Sequence, residues 1–337
     1  MGTGGLLASP GTLKTMAVYI DPPLWPAHGT LWSHLISDTS YAELHAFAAH
    51  AGFPRRSFDL DHYDVPQSQY ELAISQGALP VGTREVVHRL RSSGLRITPA
   101  NRKAVRPGVQ LAYLHDQWAH LLAMLAGTDA TARPHDQEVW LALGQDLLVR
   151  WSEPHRKYHT VGHLEDVLLA LNLLEIHGEV ITPVTLLSAW FHDAIYTGDA
   201  GTDELASAEL AVSSLLAIGV CPSLCQQVGD FIVATTPSIT GGQISGPLAQ
   251  LLDSDLSIFG ASPQRYGRYT LAVRAEYAHI PDANFRSGRA KILRSYLDRP
   301  VIYQTQCAQD LWEQRARKNL ATEIKTLEST VNAPSIP

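Results

Sequence analysis

The chain has 337 residues, 45% of them hydrophobic and 18% charged, a balance that suits a globular protein able to bury two cores and excludes a disordered chain or a coiled coil. A formal charge of −7 excludes a global positive field, so nucleic acid and anionic membrane are disfavoured as partners and a small ligand is the default. Cys221, Cys225 and Cys307 are too few for a disulfide framework and lack the second pair of a zinc knot; they read as thiols of a reducing compartment.

Residues 1–15 carry a single Lys and no apolar stretch of signal-peptide length, Leu6 breaks the myristoylation pattern, and no later run is apolar enough to span a bilayer. A disordered tail on a cytoplasmic protein is expected. Residues 16–96 alternate strand-like and helical patterns: strands at 17–20 and 57–60, helices at 39–51 (capped by Asp38 or Thr39 and stopped by Gly52-Phe53-Pro54), 67–76 and 83–91. This predicts a small α/β domain. Residues 97–108 mix Pro and basic residues without apolar periodicity, the pattern of an interdomain linker.

From 109 to 330 apolar residues recur at helical spacing with almost no strand-like alternation, so the fold class is mainly α, with an all-helical domain following the small α/β one. Helices are expected near 109–127, 134–151, 160–177, 183–195, 202–218, 222–235, 262–279, 283–297 and 306–330; residues 331–337 form a tail.

Three segments of this region carry chemistry. In Tyr158-His159-Thr160-Val161-Gly162-His163 the histidines are spaced i, i+4, which on a helix sets them about 40° apart on one face, a chelating arrangement. In Leu186 to Tyr196 the pair His192-Asp193 interrupts an apolar helix; burying both costs several kcal/mol, on the order of that for any unpaired ion, unless a cation compensates. In Leu251 to Ile258 the carboxylates of Asp253 and Asp255 again sit in an apolar run, where one can cap the following helix and leave the other to face a site.

The order H, then HD, then D on helices resembles the HD superfamily of metal-dependent phosphohydrolases over residues 109–330. Tyr-His-Thr-x-x-His is similar to the element of cyclic-nucleotide phosphodiesterases in which the second histidine binds metal and the first donates a proton; the resemblance therefore makes His163 a ligand and His159 a general acid. Ser254-Asp255-Leu256-Ser257 is similar to the stretch that supplies the last ligand there, which favours Asp255 over Asp253. HRKYHT at 155–160, AWFHDAIY at 189–196 and VRAEYAHIPD at 273–282 resemble a narrower HD subfamily that brings no substrate with it. Residues 16–96, with AVYIDPPLWPAHGTLWSHLISD and Phe58 to Pro66, resemble a small bacterial domain of no assigned function.

The implied metal site is His163, His192, Asp193 and Asp255, a shell for Mn, Fe, Co, Ni or Zn, with Mg also admissible. Such a metal acidifies a bound water and polarises a phosphate oxygen. Asp193 and His159 are then catalytic, and Glu204 either orients the water or opens a helix. Arg156, Lys157, Arg274, Tyr277 and His279 are the candidates for binding substrate. In the N-terminal domain, Asp21, His28, Trp32, His34 and His62 cluster near loops after strand-like runs and form a second candidate site. The expected function is hydrolysis of a phosphate ester of a small molecule, a nucleotide phosphomonoester first. The alternatives are a nucleotide phosphodiesterase or pyrophosphohydrolase, which share the site, and a non-catalytic metal-stabilised scaffold.

Overall fold

The computed structural model describes residues 17–27, 29–54, 57–128, 136–236 and 244–329. The chain divides into two compact units, Met1–Val105 and Arg106–Pro337. Among the described residues, no helix is long and apolar enough to cross a membrane.

The first unit is a small α/β fold on one sheet. Its strands are β1 (Val18–Ile20), β2 (Trp25–Ala27), β3 (Thr30–Ser37), β4 (Phe58–Asp59), β5 (His62–Pro66) and β6 (Leu79–Pro80), with helices α1 (Tyr41–His50), α2 (Tyr70–Ser75) and α3 (Thr83–Ser92). The sheet order is β4-β5-β3-β1-β6, with β2 also paired to β3; β6 runs parallel to β1 and the other pairs are antiparallel. Successive strand residues face opposite sides. One face therefore sends Val18, Ile20, Leu35, Tyr63 and Val65 into a core with Leu44 and Ala48 of α1, and the other sends Tyr19 and Ile36 against Val86 and Leu90 of α3.

The longest strand, β3, was not expected. Both of its faces are covered, so Leu-Trp-Ser-His-Leu-Ile lacks the apolar/polar alternation of a half-buried strand. Ser40, rather than Asp38 or Thr39, caps α1, its hydroxyl accepting from Glu43 N.

The second unit is all-helical: α4 (Pro99–Thr128, which begins in the first unit), α5 (Gln137–Trp151), α6 (Val161–Ile176), α7 (Pro183–Phe191), α8 (Thr202–Ala217), α9 (Pro222–Val233), α10 (Gly246–Asp255), α11 (Pro263–Glu276), α12 (Asp282–Leu297), α13 (Gln306–Ala308) and α14 (Gln314–Ser329). Two expectations need correction. The stretch 97–108 is not an irregular linker, because the helix starts at Pro99, a residue whose fixed φ suits a first turn, and continues through Pro107. Helix α10 and the 3₁₀ turn Leu256–Gly260 were absent from the expected helices, and the last helix is interrupted by a π-turn at Gln309–Glu313.

Tryptophans organise the core of this unit. Trp118 of α4 and Trp140 of α5 stack with centroids 4.2 Å apart, and each indole N–H donates to the other residue's carbonyl, at 2.7 and 2.9 Å. Trp190 packs edge-on at 5.1 Å and its carbonyl accepts from the Trp151 indole at 2.9 Å. The buried indole N–H groups of Trp118, Trp140 and Trp151 are thus satisfied, as burial requires.

Gly144, inside α5, lies against this stack, and a Cβ there would overlap the Trp118 indole. Alanine is favoured over glycine in a helix by about 1 kcal/mol, but overpacking a closed core costs about 1–3 kcal/mol. Gly144→Ala should therefore lower stability despite its better helix propensity. Urea unfolding checks this, and a raised midpoint would show that the stack yields more easily than its geometry implies.

Candidate metal centre

Helices α6, α7 and α10 pack on one another and bring four side chains to one point. His163 lies in the first turn of α6, behind the N-cap Thr160, whose hydroxyl accepts from Gly162 N. His192 and Asp193 directly follow α7, and Asp255 is the last residue of α10. His163 Nε2 is 3.2 Å from His192 Nε2, 3.1 Å from Asp255 Oδ1 and 3.8 Å from Asp193 Oδ2. His192 Nε2 is 3.2 Å from Asp193 Oδ2 and 3.6 Å from Asp255 Oδ1. Both imidazoles are buried, and the two carboxylates are partly exposed.

Of these groups His163, His192 and Asp193 could hold a metal ion, and Asp255 Oδ1 adjoins both imidazoles. His192 Nδ1 lies 2.9 Å from the Ala189 carbonyl, which can only accept, so Nδ1 carries a proton and Nε2 is the atom turned to the cluster. His163 is held instead between the Trp151 and Tyr158 rings, at 6.1 and 4.8 Å. Two carboxylates facing two buried imidazole nitrogens favour positive charge among them, from a protonated imidazole or a bound cation. The same preference appears in the acid–base behaviour. Burial opposes charge on all of these groups, yet His192 holds Asp193 down to about 2, His163 and His192 hold Asp255 below the usual carboxylate range, and Asp193 and Asp255 keep the His192 imidazole well above its ordinary value. The donor set of two nitrogens and two oxygens fits a borderline divalent cation.

Asp253 and Asp255 point to different tasks because residues two apart on a helix lie on nearly opposite sides. Asp253 is buried and accepts from Gln304 N, Thr305 N and Thr305 Oγ1 at 2.7, 2.7 and 2.8 Å. It clamps the segment before α13 rather than capping the helix that follows it, and burial pushes its pKa up to about 6.

Arg156 is not placed to bind substrate. Its buried guanidinium donates to the carbonyls of His159 (3.1 Å), Asp193 (2.8 Å) and Ala194 (3.1 Å) and to Glu153 (3.1 Å), so its N–H groups are directed at protein acceptors. The guanidinium thereby satisfies the carbonyls of Asp193 and Ala194, which lie just beyond the end of α7. Lys157 is exposed with its ammonium on the Pro154 carbonyl, and Arg274 closes the turn after α11 through the carbonyls of Tyr277 and Ile280. His279 is exposed beside Tyr277. Among these candidates Tyr277 lines the adjoining cavity.

Glu204 opens α8: its carboxylate accepts from the amide of Gly201, the N-cap residue, whose φ of 91° suits glycine. Neighbouring Asp203 accepts from Thr197 N, Gly198 N and Asp199 N at 2.8 to 3.0 Å, and Ser207 Oγ accepts from Ile195 N at 3.0 Å, so the first turns of α8 hold the loop that follows Asp193.

His159 precedes α6 rather than lying on it, yet its ring is 5.5 Å from that of His163. Its Nδ1 lies 2.7 Å from Glu276 Oε2, and Tyr196 stacks on it at 4.2 Å. Glu276 also accepts from the amides of Lys157, Tyr158 and His159 at 2.7 to 2.9 Å and from the Tyr196 hydroxyl at 3.1 Å. Burial raises its pKa, but these donors, His159 first, bring it down to about 2. Sequence reading missed this residue. Its signal is position: a carboxylate in the last turn of a helix opposes the macrodipole and needs donors from elsewhere.

A cavity of about 1220 Å³ adjoins the cluster, lined by Tyr158, His159, Asp255, Tyr269, Tyr277 and Phe285 among others.

In the first unit, His34 and His62 converge as expected, with Asp64 as a third member that the sequence reading did not nominate. Asp21 is buried behind His34. Trp32 is a packing residue, its indole donating to the Ala27 carbonyl at 2.9 Å, and His28 lies outside the described residues.

Residues 18–93 match a family described as "Protein of unknown function (DUF4031)". No curated protein and no solved structure matches the chain.

The two aspartates of α10 separate in experiment. Asp255→Asn should remove one equivalent of bound divalent metal with little effect on folding; Asp253→Ala should keep that metal and lose about 1–3 kcal/mol by leaving two amides without acceptors. Metal analysis and urea unfolding of both variants check this, and the reverse pattern would move the ligand to Asp253.

Glu276 gives a pH signature. Its folded pKa lies below the ordinary 4.5, so its contribution to stability is present above that value and fades as pH falls through 4.5 towards 2. The stability gap between wild type and Glu276→Gln should narrow on acidification from about pH 6 to about pH 3. A gap that stays constant would mean that the donors do not favour the charged form.

Proposed function

We propose that the helical unit is a metal-dependent phosphohydrolase of the HD type, acting on a phosphate ester of a small molecule, a nucleotide phosphomonoester first. The observation that carries this reading is the convergence of His163, His192, Asp193 and Asp255 at the edge of a cavity that also receives His159. His163, His192, Asp193 and Asp255 would hold the metal ion, which would supply Lewis acidity for activating water and polarising a phosphoryl oxygen.

The remaining parts belong to the chain. Glu276 takes the Nδ1 side of His159, leaving Nε2 to carry a proton towards the leaving oxygen. Glu276 is a positioning residue in this scheme: it also ties down the three amides around His159. Tyr196 stacks on the imidazole and limits its rotation. Aromatic walls at Tyr269, Tyr277 and Phe285 suit a flat group such as a nucleobase.

Turnover of a panel of phosphate mono- and diesters by metal-loaded protein tests the reading directly; inactivity on all of them, with metal bound, would remove it. Within that assay, His159→Asn should retain metal and lower turnover by about 10²- to 10⁴-fold, with a smaller loss for p-nitrophenyl phosphate, whose leaving group needs no proton. Equal losses on alkyl and aryl substrates would take the acid role from His159, and lost metal would make it a ligand.

A further inference from the structure

The sheet of the first unit carries a second convergence of histidine and carboxylate that has no part in the proposed hydrolase. His34 of β3 and Asp64 of β5 are directly paired across the two strands. His62 lies two residues before Asp64, so it projects from the same face. One potential ligand atom from each of the three lies within 4.8 Å of the others.

Each histidine is backed by its own buried aspartate. His34 Nδ1 is 3.1 Å from Asp21 Oδ2, and Asp21, fully buried, also accepts from His34 N at 2.6 Å. His62 Nδ1 is 2.7 Å from Asp61 Oδ1, and Asp61, also buried, is held by Ile97 N at 2.8 Å and by Arg96. In both pairs the carboxylate accepts from Nδ1–H, which leaves Nε2 as the nitrogen available to another partner, and His62 Nε2 is 3.3 Å from Asp64 Oδ1. A buried carboxylate is expensive to keep without a task. One imidazolium bridged between Asp61 and Asp64 would account for His62, but not for a second histidine, 4.9 Å away by ring centroid, fixed in the same tautomer by a second buried aspartate. Paired carboxylate–histidine relays of this kind orient metal ligands and raise their basicity.

We propose that His34, His62 and Asp64 bind one divalent transition metal ion, with Asp21 and Asp61 positioning the two histidines. Two imidazoles and one carboxylate suit Fe, Mn, Co, Ni or Zn better than Ca. The His34 and Asp64 side chains are 26% and 41% exposed, so the three ligands leave coordination positions open to solvent, as in a site that receives an exogenous oxygen or nitrogen ligand rather than a closed structural one.

The test is cobalt(II) binding to the full-length chain, read as equivalents bound and as affinity by calorimetry, with circular dichroism as the folding control. Asp64→Ala and His34→Gln should each lower the bound cobalt by one equivalent relative to wild type. Asp21→Asn should keep the stoichiometry and weaken that site by about 10- to 100-fold. Asp64 is partly exposed, so its removal leaves the buried pairs intact and decides the matter if His34→Gln fails to fold. Unchanged stoichiometry and affinity in folded Asp64→Ala would overturn the proposal. A helical unit that binds no metal would appear separately, as an Asp255→Asn variant indistinguishable from wild type, and would leave this site standing.

Discussion

Two negative carboxylates held within 4 Å of two buried imidazole nitrogens set the problem that the helical unit is built around. Such a cluster favours positive charge, and its own His192 imidazole is pushed towards the charged form by the two carboxylates. Here the nearest guanidinium, Arg156, is turned away from the cluster onto backbone carbonyls. The arrangement leaves the imidazoles and carboxylates as groups that could hold a cation. It also uses the strongest local donor to fix the backbone on both sides of them.

That division of labour runs through the surroundings. Glu276 gathers three consecutive amides and one imidazole, Asp203 gathers three more amides in the loop after Asp193, and Asp253 gathers two at the entrance to α13. Each is a carboxylate that organises irregular backbone, which is how loops next to a site can be as well defined as the helices that bear it. The first unit applies the same solution twice on a sheet, with Asp21 and Asp61.

Legibility in the sequence followed the physics of each element. Helices α5 to α9, α11 and α12 show through their apolar period because each buries one stripe, whereas β3, buried on both faces, has no alternation to read. His192, Asp193 and the pair Asp253 and Asp255 stood out because charged or imidazole groups in apolar runs demand an explanation, while the choice of Asp255 and of His163 as ligands rested on the resemblance to the HD superfamily. Arg156, Lys157 and Arg274 misled for the opposite reason: a basic residue near a site suggests an anion, and only the folded backbone reveals carbonyls that need the same donors. Glu276 and Asp64 were overlooked because their partners lie on other elements, at separations that no local pattern encodes.

The opposed placement of Asp253 and Asp255 on a single turn of α10 bears on how this protein can diverge. One inserted or deleted residue rotates all that follows on a helix by about 100°, so a length change between the two positions would misalign either the clamp on α13 or the cluster. Substitution can preserve one task while altering the other; insertion cannot. Descendants of this chain are therefore free to vary the chemistry of the turn but not its length, which makes the spacing of the two aspartates a more durable marker of ancestry than either residue alone.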